Sequence, residues 1–436
     1  MKISDFLKFD FSLLFSSIIL TVFGILFIYS SAITSTGVLT STEYTRQIIW
    51  GSIGLILAII IALLNYRRIY HFALYLYLIT LVLVLYTCIN GRVVHGASAW
   101  IGIGSFGIQP SEFTKISTII FLAQFLDSTK RNVSSLFRFI ISCVIVFTPM
   151  LLILMQPDLG TALVFIPILL VMTLIAGISL RYIVFLLMTI GLSGVLMILP
   201  LWQTFIIKTT IPILVLLTDK RFLIIFLFAL TIIFVIALFG FRRYKKQYFY
   251  WISFFSTIII IAIIIWYAAQ KVLKEYQIMR LIVFLDPNID PRGSGWNIIQ
   301  SITAIGSGGF IGKGYLQGTQ SHYRFLPQQS TDFIFSIFSE EWGLIGGLLV
   351  FLLFLIIVLR LIKIMRTTTD TFGCYIVTGL SAMYIFHFLI NVGMTMGIMP
   401  ITGIPLLFMS YGGSSLITAM IGIGLALSIH TRRFQY

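Results

Sequence analysis

The sequence predicts an all-α polytopic integral membrane protein built as a bundle of about twelve transmembrane helices. Three observations carry that prediction. Of the 436 residues, 59% are hydrophobic and only 10% charged, whereas soluble domains run near 45–50% and about 25%. A soluble fold of this length cannot bury so much apolar surface. Apolar runs close to the ~20-residue spanning length recur along the whole chain. Basic residues gather in short connections such as "NYRRIY" and "GFRRYKKQ", the pattern of inward-facing loops.

The runs fall at about 11–33, 47–65, 70–88, 111–126, 136–155, 161–179, 182–201, 221–241, 248–270, 333–359, 372–392 and 405–429. The opening "MKISDFLKFD" mixes Lys2 and Lys8 with Asp5 and Asp10, and the run after it is too long for a signal-peptide core. It reads as a retained first span. The run at 111–126 is short. Residues 203–218 are interrupted by Lys208 and Pro212 and read as interfacial or re-entrant. The chain as a whole, 1–436, reads as a single membrane domain.

With the N-terminus inside, seventeen of the 29 Lys and Arg fall in inside segments, which puts both termini on the inner face. The net charge of +15 then reflects orientation, and nucleic-acid binding is the poorer reading. Cys88, Cys143 and Cys374 lie far apart in or beside apolar runs and form neither a metal motif nor a disulfide framework. The two halves share no repeat beyond hydrophobicity, which argues against a secondary transporter.

Two outside segments stand out: 89–110 and the long polar stretch at about 271–331. The second is rich in Gly, Trp and aromatic residues, so an ordered functional loop is expected. Within it, "GSGGFIGKG" (306–314) fails as a phosphate loop, because Ser307 stands where a Walker motif needs Gly and Gly314 where it needs Ser or Thr. A glycine-bent, tightly packed segment is the plainer reading, although its N–H groups and Lys313 can meet an anion.

Charges in or beside the bilayer are costly and count first as functional candidates. Glu112 and Lys115 in "QPSEFTKI" share one helix face, either as a structural pair or as part of a polar cavity. Asp158 in "QPDLG" suits a helix N-cap. Arg280 either snorkels or grips an anion, while Asp286 and Asp290 precede prolines and favour turns. His95, His322, His387 and His430 have no mutual ligand spacing, so no metal site is expected.

The stretch "FLPQQSTDFIFSIFSEEWG" (325–343) sets Asp332, Glu340 and Glu341 around the start of an apolar run. Capping is one reading of Asp332. Thr331 or Ser330 would cap without a charge, however, and a carboxylate at the membrane boundary below an ordered loop suits a general base.

The motifs "QPSEFTK", "MQPDLGTA", "FLDPNIDPRGSGWNIIQS", "AIGSGGFIGKG", "GTQSHYRFLPQQSTDFIFSIFSEEWG" and "NVGMTMGIMPITGIPLLFMSYGGSS" occur in that order. Together they resemble the SEDS family of shape, elongation, division and sporulation proteins over roughly 11–179 and 271–433, and "GTQS" and "GWNIIQS" look closer to its elongation branch than to its division branch. The resemblance implies a peptidoglycan glycosyltransferase of the bacterial cytoplasmic membrane that polymerises lipid II on the outer face. It makes Asp332 the essential aspartate. Lys115, Arg280 and Lys313 become candidates to neutralise the leaving pyrophosphate, with a divalent cation (Mg or Mn) as an optional helper. Glu112 would orient Lys115, Trp100 would pack on sugar or lipid, and Asp158 joins the substrate-binding candidates. The usual partners are a class B penicillin-binding protein and other elongation-complex proteins.

Three departures from the family pattern matter. Ala99 precedes Trp100 where many relatives carry a basic residue. Gln328 and Gln329 follow Pro327 where an acid is common. Residues 180–270 hold three apparent spans where the family usually has one, hence twelve rather than ten; an even insertion keeps the long loop outside. The rival readings are a lipid II flippase, which would tolerate polar replacements of Asp332, and a non-catalytic scaffold for a transpeptidase, which needs no acid there.

Overall fold

The computed structural model describes residues 9–94, 97–103, 106–130, 133–207, 219–272, 275–291 and 293–433. The predicted features at Lys2, Lys8, His95, Arg131, Lys208 and Pro212 therefore lie outside the described residues. By its internal packing the chain divides into two compact units, residues 1–178 with 296–436, and residues 179–295.

The first unit opens with α1 (Phe11–Ala32), α2 (Glu43–Leu63) and α3 (Arg67–Asn90), followed by strands β1 (Arg92–Val94), β2 (Ala97–Ile103) and β3 (Phe106–Ile108). Next come α4 (Pro110–Ser128), α5 (Ser135–Met155), α6 (Leu159–Leu163) and α7 (Phe165–Ile175). The second unit holds α8 (Leu180–Trp202), which runs on as a π-helical turn (Gln203–Ile207), then α9 (Lys220–Tyr244), α10 (Gln247–Val272) and α11 (Glu275–Leu285). At its edge starts α12 (Ser294–Ser307), and the chain finishes in the first unit with α13 (Thr319–His322), α14 (Ile334–Thr367), α15 (Thr371–Thr395) and α16 (Gly413–Thr431).

Among the described residues, ten helices are long and apolar enough to cross a membrane: α1, α2, α3, α5, α8 with its π turn, α9, α10, α14, α15 and α16. The other two expected spans are present as well. Helix α4 is 19 residues long but carries Glu112, Lys115 and Asp127, and the run 159–175 is helical with a break at Val164. Three spans fall within 180–272, as the hydropathy pattern predicted.

Spans differ in what encloses them. In α16, 94% of the most apolar stretch is buried within the protein, against 17% in α9. Helix α16 is thus the central post of the first unit. Small residues let a neighbour approach it closely: a Cβ on Gly424 would sit 2.6 Å from the Ala58 carbonyl oxygen of α2.

Two departures from the expected architecture have local causes. The loop after α3, expected outside, holds a small antiparallel sheet in the order β1-β2-β3, with Arg92 opposite Trp100 and Ile101 opposite Ile108. Its pairing satisfies backbone groups that a bare loop beside the membrane would leave open. The run expected as a span from 405 is non-helical as far as Gly412. Pro405 disfavours helix at the residue before it, and buried side chains bond the backbone groups that no helix satisfies: Asn391 to the Ile404 carbonyl, Gln47 to the Ser410 carbonyl, and Ser410 Oγ to the Leu406 N–H.

Candidate active site

Asp332 lies two residues before α14 and is partly exposed. The N-cap position falls on Phe333, which makes no side-chain capping bond, so Asp332 is not the N-cap residue of this helix. Its main chain is held at both ends: its N–H donates to the Gln328 carbonyl at 3.2 Å, and its carbonyl accepts from Asn391 Nδ2 at 3.0 Å. Next to it, the Ser330 carbonyl accepts from the Tyr411 N–H at 2.7 Å. Gln328 takes a positive φ of 51° to make this turn.

Glu340 and Glu341, one helical stretch further on, are fully buried and committed to structure. Glu340 accepts from Lys313 Nζ at 2.7 Å, from the Thr319 N–H at 2.8 Å and hydroxyl at 2.9 Å, and from the Gln320 N–H at 3.0 Å. Glu341 accepts from the Ser30 hydroxyl of α1 and from the Leu316 N–H at 3.0 Å, with His322 Nε2 at 3.7 Å. These carboxylates tie the 313–322 loop to α14 and α1.

The glycine motif explains why α14 can bend beside them. At Gly343 the helix breaks, with φ 63° and ψ −158°. The hydrogen bonds lost at the break are replaced from outside: the Lys313 and Gly314 N–H groups donate to the Glu340 and Glu341 carbonyls, and the Leu344 and Ile345 N–H groups donate to the Gly309 and Phe310 carbonyls. A Cβ on Gly312 would strike the Glu341 carbonyl, and one on Gly343 would strike the Gly312 nitrogen. The segment is a backbone splint for α14.

A second polar cluster sits at the start of α4. Lys115 Nζ lies 2.8 Å from Glu112 Oε1 and 3.2 Å from His387 Nε2 of α15, and Lys115 and Glu112 are 0% and 3% exposed. Glu112 Oε2 is buried without a hydrogen-bond partner. Asp158 is the N-cap of α6, accepting from the Thr161 N–H at 3.0 Å and hydroxyl at 2.8 Å, and from Gln109 Nε2 at 2.8 Å. It keeps some exposed surface but lies deep among protein atoms. That burial pushes its carboxyl above the usual range; the Thr161 bonds oppose the shift, nearby Glu112 adds to it and Lys115 opposes it. The N–H of Gln109, the residue after β3, donates to the Ser414 hydroxyl oxygen at 2.9 Å.

Of the remaining expected site residues, Trp100 lies in β2 with its ring against Gly107, where a Cβ would come within 2.9 Å. Arg280 is half-buried on α11 of the second unit. Asp286 caps a 3-10 turn over Pro287–Ile289, as its proline predicted. Lys313 is engaged by Glu340 and by the Thr319 hydroxyl at 2.7 Å. Among the described residues no three His, Cys, Asp or Glu side chains gather as metal ligands.

Sequence reasoning noted Glu340, Glu341 and His387 without giving them a role, and did not single out Asn391. The last two carry a usable signal, since polar side chains four residues apart inside an apolar span are expensive and imply partners.

A helical membrane chain with a fastened aspartate at the mouth of a span, and a buried acid–base pair inside, is similar to known proteins throughout. The Cell cycle protein family of FtsW, RodA and SpoVE matches residues 11–208 and 201–435, and the chain belongs to this family. It is 48% identical over 439 residues to the peptidoglycan glycosyltransferase RodA of Treponema pallidum, covering 99% of this chain and 100% of that one. It is 32% identical to the peptidoglycan glycosyltransferase MrdB of Escherichia coli K12, with coverage of 98% and 95%, and 32% identical to the stage V sporulation protein E of Bacillus subtilis, with 96% of each. Among solved structures it is similar to a chain from a peptidoglycan synthase complex that coordinates polymerization and crosslinking, at TM-score 0.66, 25% identity and 98% and 99% coverage. It shares its fold with the rod shape determining protein RodA of Thermus thermophilus, at TM-score 0.61, 21% identity and 98% of each chain.

Proposed function

We propose that this chain is a RodA-type peptidoglycan glycosyltransferase that polymerises lipid II on the outer face of the bacterial cytoplasmic membrane during cell elongation. The observation that carries the proposal is Asp332: a carboxylate fixed by its main chain at the entrance to an apolar span, in a chain 48% identical to a peptidoglycan glycosyltransferase. Both termini lie on the cytoplasmic side in this reading, consistent with Arg67, Arg68, Arg242, Arg243, Arg360 and Arg432 in inside segments.

Two lipid-linked disaccharides lie side by side with their tails in the bilayer. The Asp332 carboxylate takes the proton from the acceptor's GlcNAc 4-hydroxyl. The freed oxygen forms a bond to C1 of the donor MurNAc from the face opposite the leaving group. The bond from C1 to the pyrophosphate oxygen breaks, and undecaprenyl pyrophosphate departs with the electron pair, inverting the centre. A pyrophosphate needs charge neutralisation rather than a strong proton donor. Lys115, held ready by Glu112, with Arg280 and Lys313, is assigned to that role. For Lys313 the assignment requires it to serve Glu340 and substrate together. Trp100 and Asp158 are assigned to substrate packing and to the polar wall beside Glu112. A class B penicillin-binding protein is the proposed partner, in keeping with the synthase complex to which the fold is similar.

The test compares wild type with Asp332→Asn on fluorescent lipid II, with and without the transpeptidase. Asparagine keeps the shape and removes the base. Wild-type polymer with none from a folded, lipid-binding variant supports the assignment; equal polymer from both removes Asp332 from the chemistry. No polymer from either, with lipid movement across vesicles intact, points to a flippase.

A further inference from the structure

Helix α15 carries two polar side chains that the reaction above does not use, His387 and Asn391. Four residues apart on one face, they sit about 6 Å from each other along the axis. They are 1% and 0% exposed. Each reaches two places at once. Asn391 Nδ2 donates to the Asp332 carbonyl at 3.0 Å and to the Ile404 carbonyl at 2.8 Å. His387 has Nδ1 at 3.1 Å from the Pro405 carbonyl and Nε2 at 3.2 Å from Lys115 Nζ.

Elementary donor and acceptor chemistry selects the form of His387. A carbonyl only accepts, so Nδ1 carries the hydrogen; an ammonium only donates, so Nε2 offers its lone pair. The neutral Nδ1–H tautomer satisfies both contacts. An imidazolium would oppose one cation to another, and the Nε2–H tautomer would set donor against donor. His387 is therefore a neutral acceptor that holds the Lys115 ammonium without cancelling its charge, while Glu112 holds it from the other side.

We propose that His387 and Asn391 are a pair of positioning residues. By fastening Lys115 and the Asp332 main chain to one turn of α15, and both to the consecutive carbonyls of Ile404 and Pro405, they set the separation between the base and the charged pair. The inference rests on the reading of Asp332 and Lys115 as working groups. It explains why the 401–412 segment is left non-helical inside the protein: its open carbonyls are the fixed points to which both clamps attach.

The test uses the full chain in lipid nanodiscs. Ring-15N-histidine spectra, with the His387 signals assigned by their loss in His387→Gln, should report the neutral Nδ1–H tautomer. Polymerisation of fluorescent lipid II should fall roughly 10- to 100-fold in His387→Phe, with lipid II binding and thermal midpoint retained. His387→Gln, which keeps an acceptor and a donor on one planar group, should stay within about threefold of wild type. In a Lys115→Met background, the phenylalanine change should cost nothing further. Full activity of a folded His387→Phe overturns the proposal, and so does a glutamine variant as impaired as the phenylalanine one. Should the phenylalanine variant not fold, the tautomer decides: an Nε2–H or imidazolium form overturns it. A wild type that makes no glycan sinks the glycosyltransferase reading instead, and is separable because the tautomer is read without turnover.

Discussion

The Lys313 ammonium meets the Glu340 carboxylate at 2.7 Å, and the two differ sharply in exposure, 26% against 0% of the side chain. The asymmetry says which partner matters more for the fold. Glu340 accepts from three further loop donors besides its ion pair, the Thr319 N–H and hydroxyl and the Gln320 N–H, so removing its charge leaves the whole turn unsupported. We expect Glu340→Gln to destabilise the protein by about 3 kcal/mol, read as a lowered thermal midpoint in nanodiscs. Lys313→Met should cost only about 1 kcal/mol, because its exposed end is screened. Equal losses in the two variants would contradict the carboxylate-centred account of the loop.

The bend of α14 yields a second prediction. Gly343 needs a positive φ, and its α-carbon faces the Gly312 nitrogen with no space for a methyl group. Alanine there combines backbone strain with a clash against main chain that cannot move aside. Gly343→Ala should abolish well-folded protein, seen as loss of the monodisperse peak in size-exclusion chromatography. Gly191 of the second unit has no atom within 4 Å of an added Cβ and lies within α8, so Gly191→Ala should be neutral or slightly stabilising.

A third concerns the buried pair in α4. Lys115→Met leaves Glu112 charged with no cation beside it, and the expected cost is about 3–5 kcal/mol. Adding Glu112→Gln removes that charge and should recover much of the stability but none of the polymerisation. Recovered activity in the double variant would show the pair to be structural only.

Asp158 supplies a pH dependence. Its folded carboxyl sits above the ordinary value of about 3.9 because of burial. Between those two values the folded state binds the proton and the unfolded state does not, so stability rises as pH falls through the raised value. Asp158→Asn retains an N-cap acceptor and has no such titration. Wild type should therefore gain thermal midpoint relative to Asp158→Asn on acidification from neutral pH, reaching a plateau near pH 4. A difference independent of pH would remove Asp158 as a buried titrating group.

The spans were legible because length and hydropathy are local properties: a run of apolar side chains dictates helix in lipid whatever its neighbours are. Even α4 announced itself as a short apolar run, despite Glu112 and Lys115, whose three-residue spacing puts them on one face. The position of Asp332 was legible too: the sequence alone puts this charge just ahead of an apolar run, where it is costly enough to make a candidate. The roles of Glu340 and Glu341 were not, because nothing within 325–343 says that their partners are Lys313, Thr319 and Ser30, the last of these 311 positions away from Glu341. The span expected from 405 begins only at Gly413 for the same reason. Apolar composition permits helix over 405–412, but Pro405 and the side chains of Gln47, His387 and Asn391 make an irregular backbone the cheaper state there. By itself the sequence determined which segments are long and apolar enough to enter the membrane and which acid precedes the apolar run at 333. Only the tertiary structure decided how that acid is held, because hydrogen bonds between distant segments satisfy buried polar groups that no local pattern records.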